Sequence, residues 1–370
     1  MAITFIGITY VFGVLLGVKL AGTQNYSADT SFRSTTSTTR RTSSSDTPSP
    51  TPQLEAAVSF SIPESKNLPG GSHTFQTFNN CGPAALSMTL SHYNISVSQQ
   101  ELGNALRPFQ NPQGNNDDKS VTLAEVAAKG EEYGLTAYVR PAGNMELIEM
   151  FIAQDIPVIA RTWLEVGEDI GHYRVVTGYN QTTQTIIQDD SLQGKQLEYS
   201  YSDFNDLWRA FNYEFVVLVP QEKIHIAEQI LGDLVNEKMA WQQALELAEA
   251  ELQKNPQALY PAFNKSVALF HMGQFDESIR VYESIENQLP SRMLWYQLEP
   301  LLAYYAAGDF ETVLQKSQEI INNANRAYSE LYYLRGLVYQ QQNQPNNAEE
   351  QFSLANQYNT SEFWKENIPW

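Results

Sequence analysis

Gln76-Thr-Phe-Asn-Asn-Cys81-Gly82-Pro83-Ala84-Ala85-Leu86-Ser87-Met88-Thr89-Leu90 is a Gly-Pro start leading into good helix formers with apolar residues at helical spacing. It predicts a helix whose first turn carries the chain's one cysteine. The unpaired N–H groups and the dipole at that end favour a thiolate, and with a histidine nearby they lower a cysteine pKa from about 8.5 toward 3.5 to 7.5. Gln76 stands five residues earlier, where its side-chain amide can join the backbone N–H of Cys81 as a pair of oxyanion donors. A lone cysteine is more often a small buried hydrophobe; the motif around it argues for a nucleophile.

A nucleophilic thiolate needs a base. His92 is eleven residues along the same helix, about 16 Å away, and cannot reach. His73, on the loop before the motif, is possible. His172 is better placed, because Gly171-His172 opens Tyr-Arg-Val-Val-Thr-Gly-Tyr179, a β-branched and aromatic run that reads as a strand. A second run, Thr185-Ile186-Ile187, ends in Gln188-Asp189-Asp190-Ser191. Folded as a hairpin, the two bring an acid beside the histidine. A three- or five-residue loop around Gln181 would set Asp190 directly opposite His172, and a two- or four-residue loop would set Asp189 there. Asn180-Gln181 lacks the glycine of the tightest turns, so Asp190 is favoured, where it would fix the imidazole tautomer and stabilise its cation.

Gln76 to Met88, Gly171-His172-Tyr-Arg-Val-Val-Thr-Gly178 and Asp190-Ser191-Leu-Gln-Gly194 together resemble the papain-like cysteine peptidases of the bacteriocin-processing, double-glycine leader class, in their stand-alone peptidase-like branch. The resemblance covers about 160 residues. It implies a papain-like α+β domain with Cys81 as nucleophile, His172 as general base and acid, Asp190 as orienting residue and Gln76 as oxyanion donor. Asn80 stands where the transporter-fused enzymes of this class usually carry Asp, and the chain has no G-x-x-x-x-G-K-[ST] phosphate loop. Both departures argue against leader processing coupled to export. Ser98 to Arg107, Thr122 to Tyr133 and Met145 to Gln154 read as helices, with strands at 157–161 and 214–219. Trp163, Tyr173 and Trp208 could line a cleft, although aromatics in such a domain are more often core.

Beyond residue 220 the chain repeats. Gly232, Ser266, Leu301 and Gly336 are 34, 35 and 35 residues apart, and Ala244, Ser278, Val313 and Ala348 follow each of them by twelve. That is the period of a tetratricopeptide helix-turn-helix unit. About four such units predict an all-α solenoid over 221–370 that folds as a separate domain and offers a concave surface to a peptide or protein partner. Acidic residues outnumber basic ones there, which suits a basic partner.

At the other end, residues 2–18 carry no charge and as a helix would be about 25 Å long, just enough to span a bilayer. Residues 1–22 therefore read as an uncleaved anchor, or as a signal cut near Leu20-Ala21-Gly22. Residues 23–57 are a Ser/Thr/Pro-rich linker, too poor in large apolar groups to fold. These features predict a membrane-anchored protein with extracytoplasmic domains, or a secreted one after signal cleavage, with the peptidase-like domain at 58–220.

The composition narrows the classes. The chain of 370 residues is 42% apolar, so it has ample core material. Its formal charge of −19 is the wrong sign for a nucleic-acid binder. One cysteine and five histidines leave no disulfide framework and little for a metal centre, so no cofactor or metal is expected. The sequence thus reads as a thiol peptidase. The alternatives are an inactive peptidase-like binding module and a transglutaminase-like Cys-His-Asp acyltransferase.

Overall fold

A computed structural model describes residues 62–109, 120–361 and 363–368. The apolar segment at 2–18 and the linker at 23–57 lie outside the described residues, and among the described residues no helix is long and apolar enough to cross a membrane. All described residues belong to one compact unit spanning 57–370.

Seven strands form one antiparallel sheet: β1 Ser65–Asn67, β2 Thr136–Arg140, β3 Val158–Trp163, β4 Gly171–Asn180, β5 Thr185–Asp190, β6 Gly194–Ser200 and β7 Phe215–Val219. Their order is β2-β7-β3-β4-β5-β6, and β1 pairs with β4. Helices α1 Cys81–Ser91, α2 Gln99–Leu106, α3 Leu123–Glu131, α4 Met145–Ala153 and α5 Tyr201–Trp208 accompany it. Both faces of the sheet are covered, which is why β3 and β7 are buried along their whole length. Ile159, Val216 and Leu218 point into one core with Leu86, Leu90 and Val126 of α1 and α3. Val158, Ala160 and Val217 point into the other with Ile148, Phe151 and Phe204 of α4 and α5.

The helix starts follow local chemistry. Ser98 caps α2 by accepting from the Glu101 N–H at 3.2 Å, and Thr122 with Glu125 forms a reciprocal capping box on α3. Asn144 caps α4, accepting from the Leu147 N–H at 2.9 Å. These ends agree with the helices read from the sequence. Strands β1, β2 and β6 have no counterpart in the sequence reading; β6 is Gly-Lys-Gln-Leu-Glu-Tyr-Ser, an outer strand with no fully buried residue.

From Pro220 onward the chain is mostly helical: α6 Ile224–Leu231, α7 Glu237–Lys254, α8 Leu259–His271, α9 Phe275–Ile285, α10 Met293–Tyr296, α11 Glu299–Ala307, α12 Phe310–Asn322, α13 Ser329–Gln341, α14 Pro345–Tyr358 and α15 Phe363–Glu366. Helix α8 packs between α7 and α9, and α13 between α12 and α14. The periodic small residues sit at these contacts. Ser266 and Ser278 exchange side-chain to backbone hydrogen bonds of 2.8 Å between α8 and α9. A Cβ on Gly336 would lie 2.4 Å from the Phe352 ring, so only glycine permits this approach of α13 to α14. Gly232 departs from the alignment: it is the C-terminal cap of α6 at φ +53°, a turn rather than a helix-packing position.

Sheet and helices share a core. Trp163 of β3 meets Phe211 at 4.7 Å and Tyr296 of α10 at 5.7 Å between ring centroids. Asn264 of α8 accepts from the Asn212 N–H at 3.2 Å and donates to the Arg209 carbonyl at 2.7 Å. Residues 221–370 expressed alone should therefore melt well below residues 58–370, or without a cooperative transition, because Tyr296 and Asn264 lose these partners. Circular dichroism during thermal unfolding of both chains tests this. Equal melting temperatures would show the helical half to be self-sufficient.

Candidate active site

Cys81 is the first residue of α1 and is 8% exposed. Asn80 precedes it but makes no side-chain cap bond, so its amide does not compete for the first N–H groups of the helix. Asn80 instead donates to Thr77 Oγ1 at 2.7 Å and accepts from Arg107 Nη1 at 2.6 Å. The sulfur thus has the positive end of a helix behind it.

His172 is the second residue of β4 and is 2% exposed. Its Nε2 lies 3.0 Å from Asp190 Oδ1, and His172 and Cys81 line the same cleft. With Nε2 committed to the carboxylate, Nδ1 is the nitrogen left for the thiol. Burial opposes the imidazolium, but Asp190 and Cys81 outweigh it and raise the His172 pKa above 6.5. Asp190 has no exposed surface. Its Oδ1 also accepts from the Leu192 and Gln193 N–H groups at 2.7 and 2.9 Å, while Oδ2 takes Arg174 Nη1 at 2.5 Å. Burial pushes this carboxyl up; His172, Arg174 and the Gln193 N–H more than compensate and hold it at about 2.

The register that selects Asp190 is not the one expected from the sequence. The loop joining β4 to β5 has four residues, since Asn180 pairs with Thr185, and Asp190 stands opposite Arg174 rather than His172. A bulge between Val176 and Gly178 shifts the pairing by one. Because side-chain direction alternates, that single extra residue decides which aspartate shares a face with Arg174 and His172. Without it, Asp189 would. Asp190 then reaches His172 diagonally, while Asp189 accepts from the Gln196 backbone N–H at 2.8 Å and its Nε2 at 3.2 Å.

Gln76 is tied to the residue after Asp190. Its N–H donates to the Ser191 carbonyl at 2.8 Å, and its Oε1 accepts from Ser191 Oγ at 2.7 Å. With the amide oxygen held, Nε2 remains to donate into the cleft that Gln76 lines with Cys81 and His172. His73 is used elsewhere: its Nε2 donates to the Asp190 carbonyl at 2.8 Å. His92 packs under Gly71, where a Cβ would come within 2.4 Å of its ring. Trp163, Tyr173 and Trp208 are core residues, at 1%, 3% and 0% exposure.

The cleft holds about 380 Å³. Phe78, Ile170 and Leu192 line it and remain partly exposed, giving it an apolar rim. Its remaining wall comes from the helical half: Arg292, Trp295 and Tyr296. Arg292 pairs with Asp169 at 3.3 Å, and Ser291 donates to the same carboxylate at 2.9 Å. Gly171 lets Tyr296 approach, since a Cβ there would meet its ring at 2.9 Å. Sequence reasoning missed Ser191, Arg174 and this wall. Arg174 had a signal, an arginine two residues from His172 on a strand that otherwise reads as buried; the wall had none.

Acid-base linkage gives an expected pH profile of stability. The Asp190 pKa falls from an ordinary 3.8 to about 2, so its contribution, about 2 kcal/mol, is present above pH 4 and disappears as pH drops toward 2. The raised His172 pKa acts in the opposite sense. Its contribution is full below 6.5 and is lost as pH rises through the folded value. Urea midpoints across acid and alkaline pH should decline on both sides, and His172→Gln should flatten the alkaline limb.

Residues 63–216 match the family model of the Peptidase_C39 like family. Among solved structures, the chain is similar to a C39-like peptidase from Bacillus anthracis at 14% identity and TM-score 0.36, over 42% of this chain and 98% of that one. It is also similar to the peptidase domain of Streptococcus ComA, a bifunctional ABC transporter involved in a quorum-sensing pathway, at 23% identity and TM-score 0.31, over 40% and 97%. No curated protein matches the chain. The matched region is similar to C39-like peptidase domains, and a mostly helical region follows it.

Proposed function

We propose that the protein is a thiol peptidase. Cys81 attacks the scissile carbonyl, and His172 takes the thiol proton and returns it to the leaving amine. Asp190 holds the imidazole and its cation. Gln76 Nε2 and the Cys81 N–H receive the oxyanion. The observation that carries this reading is the His172-Asp190 hydrogen bond at a cleft that Gln76, Cys81 and His172 line together. Water resolving the acyl-enzyme gives hydrolysis. The test is a peptide library incubated with the full chain, with and without a primary amine acceptor, and products read by mass spectrometry. Cleaved peptides establish the peptidase; amide-exchanged products without cleavage would establish acyl transfer instead.

In the same reading the helical half is a run of tetratricopeptide-like units that bring a peptide or protein to the cleft. The periodic small residues at its helix contacts and the placement of Arg292, Trp295 and Tyr296 at the cleft support this. Specificity then depends on both halves.

A further inference from the structure

A second cavity, of about 420 Å³, lies where the sheet meets the helices, a volume typical of small-molecule sites. The peptidase reading does not use it. Arg161 and Glu214 line it from the sheet side, and Trp241, His271 and Glu299 from the helical side. Tyr296 lines both this cavity and the active-site cleft.

Its charge is unbalanced. Among the described lining residues, Glu214, Glu237, Glu299, Glu330 and Glu366 outnumber Arg140, Arg161 and His271. Both guanidiniums are engaged within the protein. Arg161 pairs with Glu214 at 3.2 Å and donates to the Tyr296 carbonyl. Arg140 donates to the carbonyls of Leu234, Val139 and Val235. Glu299 contrasts with them. It is 6% exposed, and its Oε2 has no hydrogen-bond partner among the described residues. Its Oε1 is 3.6 Å from His271 Nε2, which also has none. A buried carboxylate oxygen without a donor is unfavourable, and a ligand N–H would remove that penalty.

Aromatic surface accompanies the acids. Trp241 carries His271 stacked at 3.7 Å and 6°, and Tyr328 contributes another ring. Rings beside carboxylates favour an organic cation over a bare ion. Among the described residues no group of three or more His, Cys, Asp or Glu is arranged to hold a metal. We propose that this cavity binds a small organic cation, an alkylguanidinium or primary alkylammonium, with its N–H groups on Glu299 Oε2. Glu237 and Glu366, both exposed, draw it in from the mouth. The cation is either a free small molecule or the end of an arginine or lysine side chain.

Calorimetric titration of the full chain with butylguanidinium, butylammonium and the neutral isostere butylurea tests the site. The cations should bind and butylurea should not. Glu299→Gln should weaken binding at least about tenfold. Because that change is buried, a second variant, Glu237→Gln with Glu366→Gln, should keep the melting temperature, weaken binding a few-fold and reduce its dependence on salt. A blocked peptide with a central arginine separates the sources: binding comparable to butylguanidinium assigns the site to a side chain, and no binding assigns it to a free cation. The proposal is overturned if neither cation binds at millimolar concentration, if butylurea binds equally, or if both glutamate variants bind as the wild type does.

Discussion

Cys81→Ala is expected to lower kcat/KM for peptide hydrolysis by about 10⁴-fold or more, leaving only what the oxyanion donors and substrate binding supply. The structure gives the reason. The sulfur sits at the start of α1 and shares its cleft with His172, and no other cysteine exists in the chain to replace it. The fold should hardly notice. Cys81 occupies the edge of a core that includes Tyr173 and Val121, and loss of one sulfur atom there amounts to about 1 kcal/mol. A melting temperature close to wild type together with lost turnover is therefore the expected pair of results. Turnover at the wild-type rate would dismiss Cys81 as nucleophile and with it the peptidase mechanism. Modification of Cys81 by iodoacetamide should reproduce the loss, and, in the proposed mechanism, His172→Gln should slow that modification at neutral pH.

Asp190→Ala should cost both activity and stability, and the two losses have separate origins. Activity should fall by about 10³ to 10⁴ because the His172 ring loses the group that fixes its tautomer. Stability should fall by about 3 to 5 kcal/mol because Arg174 is left as an unpaired buried charge; it has no exposed surface and bonds Asp190 at 2.5 Å. Adding Arg174→Met to Asp190→Ala should recover part of the stability and none of the activity. Asp189→Ala is the control. Its carboxylate serves the turn at Gln196, so stability should drop less and kcat should stay near wild type. Peptide hydrolysis and urea unfolding of the four proteins decide the matter. A larger loss of turnover at Asp189 than at Asp190 would refute the assignment of the acid.

The sequence by itself carries the local part of this protein. A Gly-Pro helix start after Cys81 is dictated by proline's missing N–H and fixed φ, and the structure opens α1 at that residue. His172 on a β-branched run, and the caps at Ser98, Thr122 and Asn144, are equally local. So is the spacing of Ser266 and Ser278, because helices that approach closely need small side chains wherever they cross. Tertiary structure decided what depends on distant chain. The choice of Asp190 over Asp189 turns on one bulge at Thr177, and a β-ladder changes face with every residue, so an error of one residue in register exchanges the two acids. Arg174 acquires its meaning only when β5 lies beside β4. The cleft wall at Arg292, Trp295 and Tyr296 lies 120 residues or more from His172 in the chain, and no periodicity within the helices points toward it. Its position follows from Trp163, Phe211 and Tyr296 packing into one core, a contact made by complementary shape between two halves whose sequence patterns describe only their own interiors.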